Sequence, residues 1–495
     1  MTARDLQLDG LREAIAPFRQ SVEGARVTVV GGARSGVAVA RLLAGRGAEV
    51  FLTEHGAGDG LAEQLGDIAF EAGGHTPRAM EADLMVLSPG VPTTSPLVVS
   101  AQEAGIPVVG EIEVASWFCP GPIIAVTGSN GKTTTTSLIA HVLETAGVKH
   151  VVAGNIGTAF SDHIGEIDEE TWVVLEVSSF QLDHIATFRP RVAVLLNVTP
   201  DHLDRYGGDF ERYAAAKYRL FENQTAQDWL VYNLDDEHVR EHVQRAAQTR
   251  GLAPLPFSTH RQPEPGAFVR QAGGEETLTL VLPHRDPALR AQGPLTPTDP
   301  VFRDDSFMPS QHLALRGRHN LYNSLAAAVV ARAVEIRSDV VRQSLTSFEG
   351  VPHRLERVRT VGGIAYVNDS KATNVNAVWY ALESFATHED GSPSVVLIAG
   401  GRDKGNDYGP LHRLVGEKVK GIVAIGEGAD KVLTELGGLA EHTAHAASMA
   451  EAVQYAGLMA EAGDTVLLSP ACASFDMFDN YEHRGEVFKD LVRSL

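Results

Sequence analysis

What most constrains the fold of this chain is one junction, Thr127-Gly-Ser-Asn-Gly-Lys132-Thr133-Thr134, set between the apolar run Pro122-Ile-Ile-Ala-Val-Thr127 and a helical stretch. Strand, glycine loop and helix in that order describe a phosphate loop. Its glycines let successive backbone N–H groups converge on phosphate oxygens without side-chain collision. A lysine at position 132 can bridge β- and γ-phosphates, and a hydroxyl such as Thr133 can meet Mg2+. The helix N-terminus adds a fixed partial positive charge. Counted from Gly128, the loop is one residue shorter than the generic G-x-x-x-x-G-K-[ST] pattern. The strand–loop–helix context therefore carries the expectation: ATP held by Gly128, Ser129, Asn130, Gly131, Lys132, Thr133 and Thr134.

With 495 residues and ~100–200 residues per domain, about three domains are expected. The first strand candidate, Arg26-Val-Thr-Val-Val, runs into Gly31-Gly-Ala-Arg-Ser-Gly36 and an apolar-periodic helix. Further strands are expected at Glu49–Thr53, Leu84–Leu87 and Ile106–Val109, so residues 1–112 read as a doubly wound, Rossmann-like domain. Its glycine turn departs from G-x-G-x-x-G at Ala33. A plain strand–helix turn and a nucleotide-diphosphate site both fit. Glu54 lies where a ribose-binding acid would sit, which leaves an NAD enzyme open at this point.

The P-loop unit continues through strands Trp172–Val177 and Val192–Asn197 and spans residues 113–350. Within it, residues 251–311 lack clear periodicity and predict irregular excursions plus a hairpin through Thr277-Leu-Thr-Leu-Val-Leu. A third α/β unit, 351–495, has strands at Val395–Ala399, Gly421–Ile425 and Thr465–Ser469. The expected fold class is α/β, with three domains in series: a Rossmann-like N-terminal domain, a central P-loop ATPase-like domain and a Rossmann-like C-terminal domain.

Forty-two Lys and Arg against 63 Asp and Glu leave a formal charge of −21. Such a surface repels polyphosphate backbones, so nucleic acid is excluded as a general partner. Cys119 and Cys472 cannot build a disulfide scaffold or a thiolate metal cage. With no apolar h-region behind Met1 and no run approaching ~18–20 apolar residues, the expectation is a cytoplasmic chain without membrane insertion.

Other residues carry chemistry. Glu176 interrupts an apolar strand, where an unpaired carboxylate is costly; a metal at the strand end or a hydrogen-bonded core role would each account for it. Asn197-Val-Thr-Pro-Asp-His202-Leu-Asp-Arg-Tyr206 follows the next strand and so shares the P-loop edge of the sheet, where His202 is a candidate metal ligand or acid/base. Lys217, a few turns later on a helix, reads by itself as a solvated lysine. In the last unit, Pro352-His-Arg354-Leu-Glu356, Asn368-Asp369-Ser-Lys371-Ala-Thr373-Asn374, Gly400-Gly-Arg-Asp-Lys404-Gly and Ser469-Pro-Ala-Cys-Ala-Ser474 lie beside strand ends. Cys472 reads as a packing residue with no nucleophile arrangement around it.

Together and in this order, these segments, with Leu-Glu-Val-Ser-Ser-Phe-Gln-Leu and Gly-Arg-His-Asn-Leu-Tyr-Asn, resemble the Mur ligase family of ATP-dependent amide ligases in peptidoglycan precursor synthesis. The resemblance covers nearly the whole chain and thins only at roughly 236–311. Within the family it points to the members that add D-glutamate to UDP-N-acetylmuramoyl-L-alanine through an acyl phosphate. It implies that the N-terminal domain holds UDP and not NAD, which suits Ala33. It implies one Mg2+ on Thr133 and Glu176, and a second on His202 and a carbamylated Lys217. Asn320, Asn323, Arg354 and Asp369 map to adenosine and phosphate contacts. Lys371, Thr373, Lys404, Ser474 and Tyr481 map to the D-glutamate pocket; Tyr481 stands where the family pattern has phenylalanine. Ser88, Pro89, Gly90 and Asn155 map to the muramoyl end, Ser178 to substrate binding, and Glu54 to the uridine. A monomer acting on small molecules is expected. The rivals are a related ligase for another amino acid, such as a folylpolyglutamate synthetase, and an ATP-binding regulator without amide chemistry.

Overall fold

Short β-branched runs closed by glycine turns build three sheets in the computed structural model, which describes residues 3–252, 254–272, 274–283, 295, 299–315, 317–403 and 405–495. The first sheet holds β1 (Arg26–Val30), β2 (Glu49–Glu54), β3 (Ala69–Ala72), β4 (Leu84–Leu87) and β5 (Val108–Gly110). All its pairings are parallel and the order is β3-β2-β1-β4-β5. That order reverses direction between β1 and β4, which opens a crevice at their carboxyl ends.

The second sheet holds β6 (Ile123–Thr127), β7 (His150–Gly154), β8 (Trp172–Glu176), β9 (Val192–Leu195), β10 (Trp229–Asn233), β11 (Pro254–Ser258), β12 (Gly266–Ala272), β13 (Glu275–Pro283) and β14 (Val301–Pro309). Its order is β14-β13-β12-β11-β10-β9-β6-β8-β7. Pairing is parallel from β7 through β12 and antiparallel for β13 and β14. Because β6 runs between β8 and β9, the P-loop, Glu176 and Asn197 leave the sheet side by side. The described part of residues 251–311 contributes β11 to β14, more strand than the irregular excursions and one hairpin expected there. The hairpin expected at Thr277–Leu282 is there, pairing β13 with both neighbours.

The third sheet holds β15 (Glu356–Val361), β16 (Ile364–Asn368), β17 (Val395–Gly400), β18 (Val419–Ile425), β19 (His442–Ala446) and β20 (Thr465–Ala471), in the order β15-β16-β20-β17-β18-β19. Only β15 is antiparallel to its neighbour. The chain divides into two compact units. One comprises residues up to Leu313 with Tyr322–Ser347, and so contains two sheets; the other comprises Ala314–Leu321 with Phe348–Leu495. Among the described residues, no helix is long and apolar enough to cross a membrane.

Inside the first unit, two buried glutamates tie the helix Glu111–Trp117 to the second sheet's domain. Glu113, fully buried, accepts hydrogen bonds from the backbone N–H groups of Ala186, Thr187 and Phe188 and from Trp117 Nε1. Glu111 is less well served: Oε1 accepts from Ser161 N–H and Oγ, while Oε2 is buried without a partner. Burial pushes the Glu111 carboxyl up to about 7 despite the Ser161 hydrogen bonds. A carboxyl with a raised folded-state pKa stabilises the fold when protonated, and that contribution is lost as pH rises from the ordinary value towards about 7. Glu111→Gln should therefore remove roughly 3 kcal/mol of pH-dependent destabilisation. Urea midpoints at about pH 5 and about pH 8 measure it. Parallel slopes in wild type and variant would contradict the assignment.

Candidate active site

The loop after β6 is held from one side by Asn197. Its carbonyl accepts from Ser129 N–H (2.9 Å), its Oδ1 from Asn130 N–H (2.8 Å), and its Nδ2 donates to Asn130 O (3.0 Å). Two of the loop N–H groups expected to face phosphate are thus engaged internally. The N–H groups left open to an anion are those of Lys132, Thr133 and Thr134, at the start of the helix Lys132–Thr145, since Thr135 N–H already bonds to the Gly131 carbonyl (2.9 Å). Lys132 Nζ folds back onto the Gly128 and Ser129 carbonyls, 2.9 Å from each. The Thr134 hydroxyl is buried without a partner, and Thr133 beside it is also buried.

Gly131 caps that helix at φ +84°, and a Cβ there would lie 2.5 Å from Asn323 Oδ1. The same oxygen accepts from Thr135 Oγ1 (3.2 Å). Gly131→Ala should cost roughly 1–2 kcal/mol for the left-handed conformation alone and displace Asn323. A lower urea midpoint with weakened ADP binding is the expected outcome, read by denaturation and calorimetry.

Glu176 ends β8 and is 1% exposed. Asn155 Nδ2 donates to its Oε1 (2.7 Å), while Oε2 is buried with no partner. Of the two explanations for this residue, a fully hydrogen-bonded core carboxylate does not describe what is found. An orphaned buried carboxylate oxygen beside a phosphate loop fits a cation.

Lys217 departs furthest from its reading in isolation. The helix Phe210–Tyr218 turns it inward, leaving it 2% exposed, with Nζ donating to the Gly128 carbonyl at 2.9 Å. It also lies 4.7 Å from the Tyr213 ring centroid. Burial first, and the Lys132 charge second, push its amine well below the ordinary lysine value, against the pull of Asp201, Glu176 and Asp183. That shift favours the neutral, nucleophilic form more than in a solvated lysine. His202 sits at φ 51° after Asp201, whose carboxylate lies 3.7 Å from its Nε2. Among the described residues no three His, Cys, Asp or Glu side chains form a metal cage. A Mg2+ that keeps waters and uses substrate phosphates needs no such cage.

At the crevice of the first sheet lies a cavity of ≈1010 Å3 lined by Gly31, Glu54, His55, His75, Ser88 and Gly90 among others. Burial works to raise Glu54, yet N–H donors from Gly32 (2.5 Å) and Gly56 (2.7 Å) hold it below the usual carboxylate value. Pro89 is not part of that lining, and Ser178 caps the helix Ser179–Leu182 through a reciprocal bond with Gln181.

In the second unit, Asp369 accepts from Leu355 N–H (3.2 Å) and Ser469 Oγ (2.8 Å). Burial lifts its carboxyl to about 6, opposed by the Arg354 charge. Arg354 Nε is buried without a partner. Around them the backbone is left-handed at three residues other than glycine, His353 (φ 63°), Leu355 (φ 45°) and Ala471 (φ 61°), a clustering typical of functional sites. Lys371 Nζ lies 5.3 Å from the Tyr481 ring centroid. Thr373 N–H bonds to the Lys371 carbonyl, and Ser474 is buried beyond β20. Lys404 lies outside the described residues. Asn320 and Asn323 share the helix Arg318–Ala333, and both are buried. Asn197, Tyr213 and Arg484 were not singled out from sequence. Arg484 is buried, donating to Ser370 Oγ and the Ser370 and Cys472 carbonyls.

A Rossmann-order sheet, a P-loop sheet and a third, mostly parallel sheet beside a turn with left-handed residues define a class, and comparison with known proteins agrees. The chain belongs to the Mur ligase family. It matches the MurD-like N-terminal domain over residues 25–110, the Mur ligase middle domain over 126–284 and the glutamate ligase domain over 353–472. It is 55% identical to the UDP-N-acetylmuramoylalanine–D-glutamate ligase of Salinibacter ruber, over 96% of this chain and 99% of that one. It is 44% identical to the protein of the same name from Chloroherpeton thalassium, again over 96% and 99%. The fold is shared with the solved UDP-N-acetylmuramate–alanine ligase MurC of Thermotoga maritima (TM-score 0.57, 18% identity, 95% and 99% covered). It is also shared with the MurF ligase of that organism in complex with ADP (TM-score 0.56, 18% identity, 96% and 97% covered).

Proposed function

We propose that this chain is an ATP-dependent ligase joining D-glutamate to UDP-N-acetylmuramoyl-L-alanine in peptidoglycan precursor synthesis. The observation that carries the reading is the convergence of a P-loop, the orphaned Glu176 oxygen and the buried, low-pKa Lys217 at one sheet edge. Residues 1–112 take the UDP end of the substrate, 113–350 take ATP, and 351–495 take the amino acid.

In the first step a carboxylate oxygen of the L-alanyl group attacks the γ-phosphorus and ADP leaves. In the second the D-glutamate amine attacks the acyl carbon, phosphate departs, and the nitrogen gives up a proton to form the amide. Lys132 and the first-turn N–H groups hold the phosphates. Thr133 and Glu176 would hold one Mg2+, and His202 with Lys217 a second. When bound, these ions neutralise the anionic oxygens that must approach one another. For Lys217 this role requires its neutral nitrogen to attack CO2 and lose a proton, which converts a would-be cation into an anionic carbamate with oxygen donors. Arg354, Asp369, Asn320 and Asn323 serve ATP. Lys371, Thr373, Lys404, Ser474 and Tyr481 serve D-glutamate, whose carboxylates suit lysine ammonium groups. Ser88, Pro89, Gly90, Asn155 and Ser178 serve the nucleotide-sugar, and Glu54 the uridine. A cytoplasmic monomer is part of the proposal.

Phosphate release tests it. It should require ATP, Mg2+, the nucleotide-sugar and D-glutamate together. Release from ATP alone at a comparable rate would favour a nucleotide-driven regulator.

A further inference from the structure

Arg205 belongs to the short 3-10 turn Leu203–Tyr206 that directly follows His202. Its guanidinium reaches across to the first sheet's domain, where NH1 donates to the Gly90 carbonyl (3.1 Å) and NH2 to those of Val91 (3.3 Å) and Pro89 (3.5 Å). Gly90 and Val91 line the ≈1010 Å3 cavity. The same guanidinium lies 4.2 Å from the Phe180 ring centroid. Phe180 meets the His202 ring edge-on at 5.2 Å and stacks on Tyr206 at 6.2 Å. Tyr206 is fixed in turn by donating to Asp183 Oδ2 (2.9 Å). A second tie runs the other way, from Arg34 at the start of the glycine-turn helix to the Gly157 carbonyl (2.8 Å).

Three successive carbonyls at a pocket rim are a negative edge, unfavourable to an incoming diphosphate and carboxylate. A planar five-donor cation satisfies them and stacks on an aromatic face at once; an ammonium cannot do both. We propose that Arg205 is a positioning residue that fastens the rim of the nucleotide-sugar pocket to the turn presenting His202. Filling the pocket then steadies the turn that presents the His202 side chain, whose ring already meets Phe180 edge-on. This inference rests on the ligase reading above.

The test uses the full chain with Arg205→Met, which keeps the apolar stem, and Arg205→Lys, which keeps the charge. Three quantities are read: the equilibrium Kd of UDP-N-acetylmuramoyl-L-alanine without ATP, the Kd of ADP, and the Mg2+ concentration giving half-maximal turnover. Arg205→Met should weaken nucleotide-sugar binding about tenfold, leave ADP binding within about twofold and raise the Mg2+ requirement, with Arg205→Lys between it and wild type. Unchanged nucleotide-sugar affinity in both variants would overturn the proposal, as would equal losses for both ligands. A wild-type chain that binds no UDP-N-acetylmuramoyl-L-alanine would instead sink the ligase reading, and this inference with it.

Discussion

Lys217→Ala should leave the chain folded and lower ligase turnover by about 10²–10³-fold or more. The side chain is buried against the Gly128 carbonyl, within the electrostatic reach of Lys132 and Glu176. A permanent ammonium there would repel both Lys132 and any bound cation. With its amine pushed well below the ordinary lysine value, mainly by burial, the group is neutral over a wider pH range and open to CO2. Short carboxylates added to Lys217→Ala should restore part of the activity by supplying the missing oxygens. Lys217→Arg should fail with them, because a guanidinium stays charged and forms no carbamate. Acidification should lower wild-type activity by protonating the amine and reversing the carbamate. Turnover near wild type in Lys217→Ala would remove the second-metal role.

Glu176→Gln should produce the second large effect, with activity and stability moving apart. Turnover should fall about 10²–10³-fold. Without Mg2+ the melting temperature should hold or rise, because the orphaned buried Oε2 is a liability in the free protein and its charge disappears. The stabilisation that Mg2+ with ADP gives the wild type should shrink in the variant, since a ligand stabilises in proportion to its occupancy of the folded state. Differential scanning calorimetry with and without Mg2+ and ADP measures both. A variant that melts lower in every condition would mark Glu176 as a core residue and nothing more.

How much of this was legible in the sequence depended on whether a residue's partners lie in a local pattern. Strands such as Val27–Val30 and Val395–Ala399 announce themselves because burial on both faces demands continuous aliphatic runs. β19, His442-Thr-Ala-His-Ala, stays hidden because an edge strand is mostly exposed and so carries polar residues. β11 contains Pro254 and Pro256, which argue against a strand by propensity although parallel neighbours pair it on both sides. The P-loop was readable since its glycines and Lys132 stand together in the chain between a buried strand and a helix. Asn197 and Arg205 were not, because each works by bonding to distant backbone groups that leave no side-chain signature. Lys217 looked solvated because its helix is amphipathic in an ordinary way; only the packing of that helix under the loop at Gly128 buries it.

Product mass reads the reaction itself. The chain would be incubated with UDP-N-acetylmuramoyl-L-alanine, ATP, Mg2+ and a panel of D-glutamate, L-glutamate, L-lysine, meso-diaminopimelate and glycine. One product is expected, the nucleotide-sugar plus D-glutamate less one water, formed with one ADP and one phosphate per amide. A mass matching another amino acid in preference to D-glutamate, or ADP formed with no new amide, would contradict it.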